Sequence, residues 1–160
     1  MKILKSLMAA LAVATALAAH ADTRVIEGRG IAKNREGIST AFNLRVGQVN
    51  NNPAQGRFEM SWTRNDVKIK ITTEHPRFVG VRDREGKFQG HAIATVTKGA
   101  DVRRWEGTVY FTALDLRDAN HQQLKDKVRV RFIRNVWDNP EGDFFFEGEV
   151  TEGDVSVKKT

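Results

Sequence analysis

The feature that most constrains this chain is a two-residue alternation of apolar and polar side chains, renewed after each short turn. It is plainest over residues 128–151, VRVRFIRNVWDNPEGDFFFEGEVT, where two runs rich in β-branched and aromatic residues flank Asn139-Pro140-Glu141-Gly142. Proline presets φ at the second turn position, and glycine accepts the left-handed conformation that closes a type I turn with a bulge. With Asn139 facing Asp143, the spacing predicts Phe132 opposite Val150 and Val136 opposite Phe146 on one face. The other face then pairs Trp137 with Phe145, Asn135 with Glu147 and Ile133 with Glu149. One face is a core seam; the other is mixed.

The same grammar runs through the rest of the chain. Residues 25–33 and 38–47 form a predicted hairpin around Asn34-Arg35-Glu36-Gly37, pairing Phe42 with Gly30, Leu44 with Gly28, Val46 with Ile26 and Arg45 with Glu27. Residues 57–62 and 67–72 form a second, turning at Thr63-Arg64-Asn65-Asp66, with Met60 near Ile69 and Glu59 near Lys70. A third joins 77–82 to 87–97 through Asp83-Arg84-Glu85-Gly86, with His91 facing Val79. Asn34, Asp83 and Asn139 each begin Asx-x-Glu-Gly, in which the Asx side chain caps the turn and glycine supplies positive φ. After a loop at 98–104 comes a long strand over 105–116, with Val109, Phe111 and Ala113 on one side. Residues 117–127 are polar, with room for one helical turn capped by Asp118, and Val155 with Val157 close the chain as a last edge strand.

No stretch sustains the apolar spacing of an amphipathic helix. The expected fold is therefore all-β, an antiparallel β-sandwich or partly closed barrel of about eight to ten strands joined mainly by hairpins. Its core should include Ile26, Phe42, Leu44, Phe58, Met60, Trp62, Ile69, Ile71, Phe88, Phe111, Phe132, Val136 and Phe146.

The N-terminus reads differently. Lys2 and Lys5 make a basic start, 7–19 is apolar, and Ala19-His20-Ala21 supplies small residues before a cut ahead of Asp22. This predicts a secretory signal peptide at 1–21, cleaved to leave a single domain at 22–160 and a periplasmic or extracellular address. The apolar run of about 13 residues is shorter than the roughly 20 that span a bilayer. No second such run follows, so no transmembrane segment is expected after signal removal. Cysteine is absent, which excludes thiol chemistry and cysteine-ligated metals. Removing Lys2 and Lys5 from 26 basic residues leaves 24 against 20 acidic ones, a net charge of +4. Those charges alternate in sign along the strands, so nucleic acid is not an expected partner.

The order of elements in 22–160 resembles the small secreted post-COAP type β-domain of bacteria. The shared pieces are Gly28-Arg29-Gly30 and Thr40-Ala41-Phe42 near the start, then the 88–94 run FQGHAIA and the 110–115 run YFTALD in the middle. Toward the end come a strand closing in Trp137-Asp138, a Gly142-Asp143 tip and a short strand over 154–158. The chain departs from the family's glycine cluster before its last strand, since only Gly148 and Gly153 lie in that region. The resemblance implies an exported, non-enzymatic β-domain and carries over no catalytic residues.

Candidate chemistry is sparse. His75, His91 and His121 share no metal-binding spacing, and zinc needs three or four converging ligands. Asp138, Glu141 and Asp143 supply hard oxygens that fit a calcium ion, although turn chemistry accounts for the same segment; Asp115 and Asp118 stand alike. Ser39, Ser61 and Ser156 lie in predicted strands without a nucleophile elbow. No cofactor and no catalytic residue is expected.

The sharper candidate is an aromatic patch on the outward face of the last hairpin: Trp137, Phe145, Ile133 and Arg131. Apolar groups there form either a second packed layer, covered by a loop or by the Trp105 segment, or a surface that stacks on sugar rings or anchors an envelope protein. The function expected from the sequence is a binding or structural module at the cell envelope or exterior. The alternatives are a soluble β-barrel carrier of a small apolar ligand and a small secreted hydrolase. A filled interior favours the module, an internal cavity the carrier, and converging acids the hydrolase.

Overall fold

The computed structural model of the chain describes residues 21–116, 124–135 and 143–160. Its strands follow one another as β1 Thr23–Lys33, β2 Ser39–Val49, β3 Gln55–Arg64, β4 Val67–Arg82, β5 Glu85–Lys98, β6 Asp101–Leu114, β7 Lys127–Arg134 and β8 Phe144–Lys159. Each pairs antiparallel with the next, and β8 returns to pair with β1. The all-β expectation and its barrel alternative are realised: the sheet is a closed eight-stranded barrel, not a two-sheet sandwich. Val155 and Val157 belong to the second half of β8, where they face Gly28 and Ile26 of β1, so they close the barrel instead of forming an edge.

Closure follows from the alternation. Inward positions on the strands are mostly apolar, and burying them together removes each from water, worth about 1.5–3 kcal/mol for a full-sized side chain. The lower half of the interior is filled by Phe58, Phe88 and Phe111, whose ring centroids lie 5.1 to 5.3 Å apart. The upper half holds Trp62 against Phe146 at 5.7 Å and Trp105 stacked on Phe144 at 5.5 Å, with the Arg134 guanidinium over Trp105. Every described member of the expected core is buried; Val136 lies outside the described residues. Outward positions carry pairs such as Lys70–Glu59, Lys158–Glu27 and Arg129–Glu147. Apolar inside and charged outside is the reverse of a barrel that faces lipid.

Registers divide by turn. The first hairpin has the expected pairing, because Asn34 Oδ1 accepts the N–H of Ile38 at 2.8 Å and Gly37 takes φ +84°. The tetrapeptide beginning at Asp83 behaves otherwise. Arg82 pairs with Glu85 across a two-residue turn in which Asp83 has φ +52°, and Gly86 lies in the strand. That position faces inward against Ile26, where a Cβ would lie 2.7 Å from Ile26 Cγ1. The packing claims the glycine before the turn can. His91 consequently faces His75, and Val79 faces Phe88. The second hairpin also turns on two residues, Asn65 and Asp66, both with positive φ, so Met60 faces Ile71 and Trp62 faces Ile69. Glu59 still reaches Lys70, diagonally, at 3.0 Å.

In the last hairpin the expected register is displaced. Phe132 faces Phe144 and Val130 faces Phe146, whereas Val150 pairs with Ala32 of β1. The displacement is even, so every side chain keeps its face. It brings Phe144 beside Phe132 and Trp105 in the upper aromatic cluster. The tip at 139–142 lies outside the described residues. The loop expected at 98–104 is corrected, and the second and third hairpins share one strand. Residues 101–104 continue β6 after a two-residue Gly99-Ala100 turn, and β4 runs unbroken through His75 and Pro76 because two bulges absorb the proline.

β4 and β8 outrun their neighbours at the lower end, where the described chain begins and finishes. Beyond Thr73, β4 pairs only with β5; beyond Glu149, β8 pairs only with β1. Side chains occupy the edges left over. Gln48 Oε1 accepts the N–H of Val79 at 3.1 Å, and Arg24 Nη1 donates to the Val79 carbonyl at 3.2 Å. On β8, the N–H of Val155 donates to Asp126 Oδ2 at 3.1 Å and that of Val157 to Asp115 Oδ2 at 3.2 Å. Asp126 is 1% exposed and also accepts the N–H of Leu116. Buried backbone groups cost free energy unless paired, and these caps pair them.

Candidate functional site

Strand alternation decides which side chains reach the outer wall of β6, β7 and β8. Val109 and Phe111 point inward, so Tyr110 points outward; Val130 and Phe132 send Arg131 out, and Phe146 does the same for Phe145. The register then aligns them. Tyr110 is opposite Arg131, and Arg131 is opposite Phe145. Neighbouring strands lie about 4.8 Å apart, so Tyr110 and Phe145 stand roughly 10 Å apart with a guanidinium between them. Phe145 is 60% exposed and Tyr110 43%. Ile133, two residues along β7, is half-buried opposite Thr108. Gln89 of β5 borders the row beside Tyr110.

Three of the four residues expected in the patch are therefore on one wall, and Trp137 lies outside the described residues. The expected Trp137–Phe145 pairing is replaced by Arg131–Phe145. Trp105 does not cover the patch, because it turns inward onto Phe144. Tyr110 was not among the expected patch residues. Its signal was present in the sequence as the one aromatic at an outward position of the 105–116 run.

The electrostatics around the row are set by a neighbouring pair. Arg129 Nε donates to Glu147 Oε2 at 3.0 Å. This hydrogen bond holds the Glu147 carboxyl below its ordinary range and raises Arg129 above its own. Arg131, by contrast, makes no ion pair among the described residues and is exposed. A cation without a fixed counter-charge, flanked by two exposed rings, can meet a polar ring ligand by stacking and by charge-assisted hydrogen bonds.

Other candidates resolve into structural roles or fall outside the described residues. Asp138, Glu141, Asp118 and His121 are in the latter group. Asp143 Oδ1 accepts the N–H of Arg134 at 3.1 Å, closing the start of the β7–β8 connection. Asp115 caps β8. Among the described residues no group of three or more His, Asp or Glu is placed to hold a metal ion. His91 and His75 are cross-strand partners, and His91 Nε2 lies 3.6 Å from Glu106. Ser39, Ser61 and Ser156 sit in β2, β3 and β8 as expected.

No protein-family model, no curated protein and no solved structure matches the chain.

Proposed function

We propose that the chain is an exported, non-enzymatic binding module whose outer wall at β6–β8 holds a glycan of the cell envelope or exterior. The observation that carries this reading is the in-register row Tyr110–Arg131–Phe145, which sets two exposed rings astride a guanidinium. Rings flanked by hydrogen-bonding side chains suit sugars, whose faces are apolar and whose edges are hydroxylated. The row is supported on rigid strands, so binding would order few side chains.

A module is favoured over a carrier because Phe58, Phe88 and Phe111 occupy the barrel interior at contact distance. It is favoured over a hydrolase because the outer acids Glu27, Glu59 and Glu147 are engaged by Lys158, Lys70 and Arg129. Export rests on the basic and apolar N-terminal stretch and on the post-COAP resemblance. The test is sedimentation of purified protein with peptidoglycan sacculi, chitin and cellulose. The parent should pellet with at least one of these, and a Tyr110→Ala, Phe145→Ala double variant should remain in solution. Equal pelleting by both proteins would remove the reading.

A further inference from the structure

Beyond β8 round the barrel, the lower outer face of β1, β2 and β3 carries a concavity of about 460 Å3. Its floor is Val25 and Gly47, and its rim includes Arg45, Val49, Pro53 and Gln55. The volume falls within the roughly 300–1,000 Å3 usual for small-ligand sites. The rim is held in place before any ligand arrives. Gln48 Nε2 donates to the Asn52 carbonyl at 2.9 Å, the Asn52 N–H donates to the Val49 carbonyl at 3.1 Å, and Asn50 and Asp22 bond reciprocally. Among the described residues no carboxylate lines the hollow.

Gly47 creates the depression, and the fold does not require glycine there. A Cβ at Gly47 would lie 3.4 Å from the Arg24 carbonyl oxygen and 3.6 Å from Val25 Cγ2, ordinary contacts, and its φ is not positive. Other strand glycines differ: a Cβ at Gly28 would meet the Asp154 carbonyl at 2.6 Å and one at Gly148 the Lys33 carbonyl at 2.7 Å. Glycine in a strand sacrifices stability relative to a residue with a side chain. At Gly47 that sacrifice has no packing reason, only the space it leaves.

The second observation is charge. Arg45 and Arg57 are direct cross-strand partners on the outer face. Like charges placed so are destabilising. Arg45 has Glu27 at 3.9 Å, but that carboxylate is closer to Lys158, at 2.8 Å. Arg57 makes no ion pair among the described residues. Two arginines placed on neighbouring strands beside a preformed hollow suit an anion, and the planar fork of arginine matches a carboxylate.

We infer that this hollow binds an acidic saccharide, a pyranose ring lying over Gly47 and Val25 with its carboxylate toward Arg45 and Arg57. The site is independent of the aromatic row, which lies on other strands. The test is calorimetric titration of the purified protein with oligomers of galacturonate, alginate and hyaluronate. A neutral malto-oligosaccharide and sodium sulfate serve as controls, and thermal melting is followed alongside. At least one uronate oligomer should bind the parent. Gly47→Val should weaken that binding at least tenfold while melting no lower than the parent, and the Arg45→Gln, Arg57→Gln variant should weaken it similarly. The Tyr110→Ala, Phe145→Ala variant should bind as the parent does, which separates this site from the aromatic row. Absence of binding by all three oligomers, unchanged binding in Gly47→Val, or equal binding of the neutral sugar or sulfate would each overturn the assignment.

Discussion

Tyr110 and Phe111 are chain neighbours, as are Phe145 and Phe146, yet each pair is divided between two environments. Phe111 is 1% exposed and Phe146 2%, while their neighbours stand in solvent. Inside, a ring touches other rings on facing strands, and its removal leaves a cavity in a packed core. Outside, a ring of the same size contributes little to holding the barrel shut. The outer rings are therefore the ones whose presence needs a reason other than stability. The lower hollow makes the complementary case, because there bulk is missing where a side chain would fit.

The largest effect should come from the inner side of this comparison. Phe111→Ala removes a ring with neighbours at 5.1 and 5.2 Å, and should lower the unfolding free energy in urea by about 3–5 kcal/mol. Asp126→Ala comes next. It strands the N–H groups of Leu116 and Val155; Leu116 is only half-buried, so at about 1–2 kcal/mol for each unsatisfied donor the loss should be roughly 2–4 kcal/mol by the same assay. Gln48→Ala should cost less, about 1–2 kcal/mol. It leaves the Val79 N–H without its acceptor, and amide exchange at Val79 should quicken. Phe145→Ala should change stability by less than about 0.5 kcal/mol. An outer ring that proved as costly as Phe111 would break the distinction between the faces.

The smallest effect is electrostatic. Glu147 and Glu27 have carboxyls held below their ordinary range, first by hydrogen bonds from Arg129 and Lys158 and then by the charge of the same partners. A carboxyl whose folded value is depressed adds stability above the unfolded value and loses it as pH falls through the folded one. Acid titration of the melting temperature should therefore show a slight fall below the ordinary glutamate range, shallower in Glu147→Gln. Glu147 is exposed and Glu27 only half-buried, so salt should mute the effect.

Much of the barrel was legible from alternation alone, because the face of a strand residue depends only on parity. That is why every described member of the expected core is buried even where the register differs: the last hairpin moved by an even number, and Phe132 and Phe146 stayed inside. Turn chemistry was less dependable. Asn34 to Gly37 behaved as its composition implies, whereas the similar run from Asp83 gave its glycine to the packing against Ile26. A barrel was among the expected folds, but the pairing that closes it was not legible, since Val155 and Val157 meet β1 from the opposite end of the domain. In the candidate site, Phe145, Arg131 and Ile133 were found by parity, and Tyr110 was passed over. Its partnership with Arg131 depends on a register that crosses the 115–126 connection.

In the proposed function the inner rings hold the fold and the outer rings hold a ligand. The direct measurement is a paired one on the Tyr110→Ala, Phe145→Ala protein: urea unfolding beside sedimentation with sacculi, chitin and cellulose. The account predicts an unfolding midpoint close to the parent's together with loss of pelleting. A folded variant that pellets as fully as the parent, or one that has lost the stability of a core-ring deletion, would contradict it.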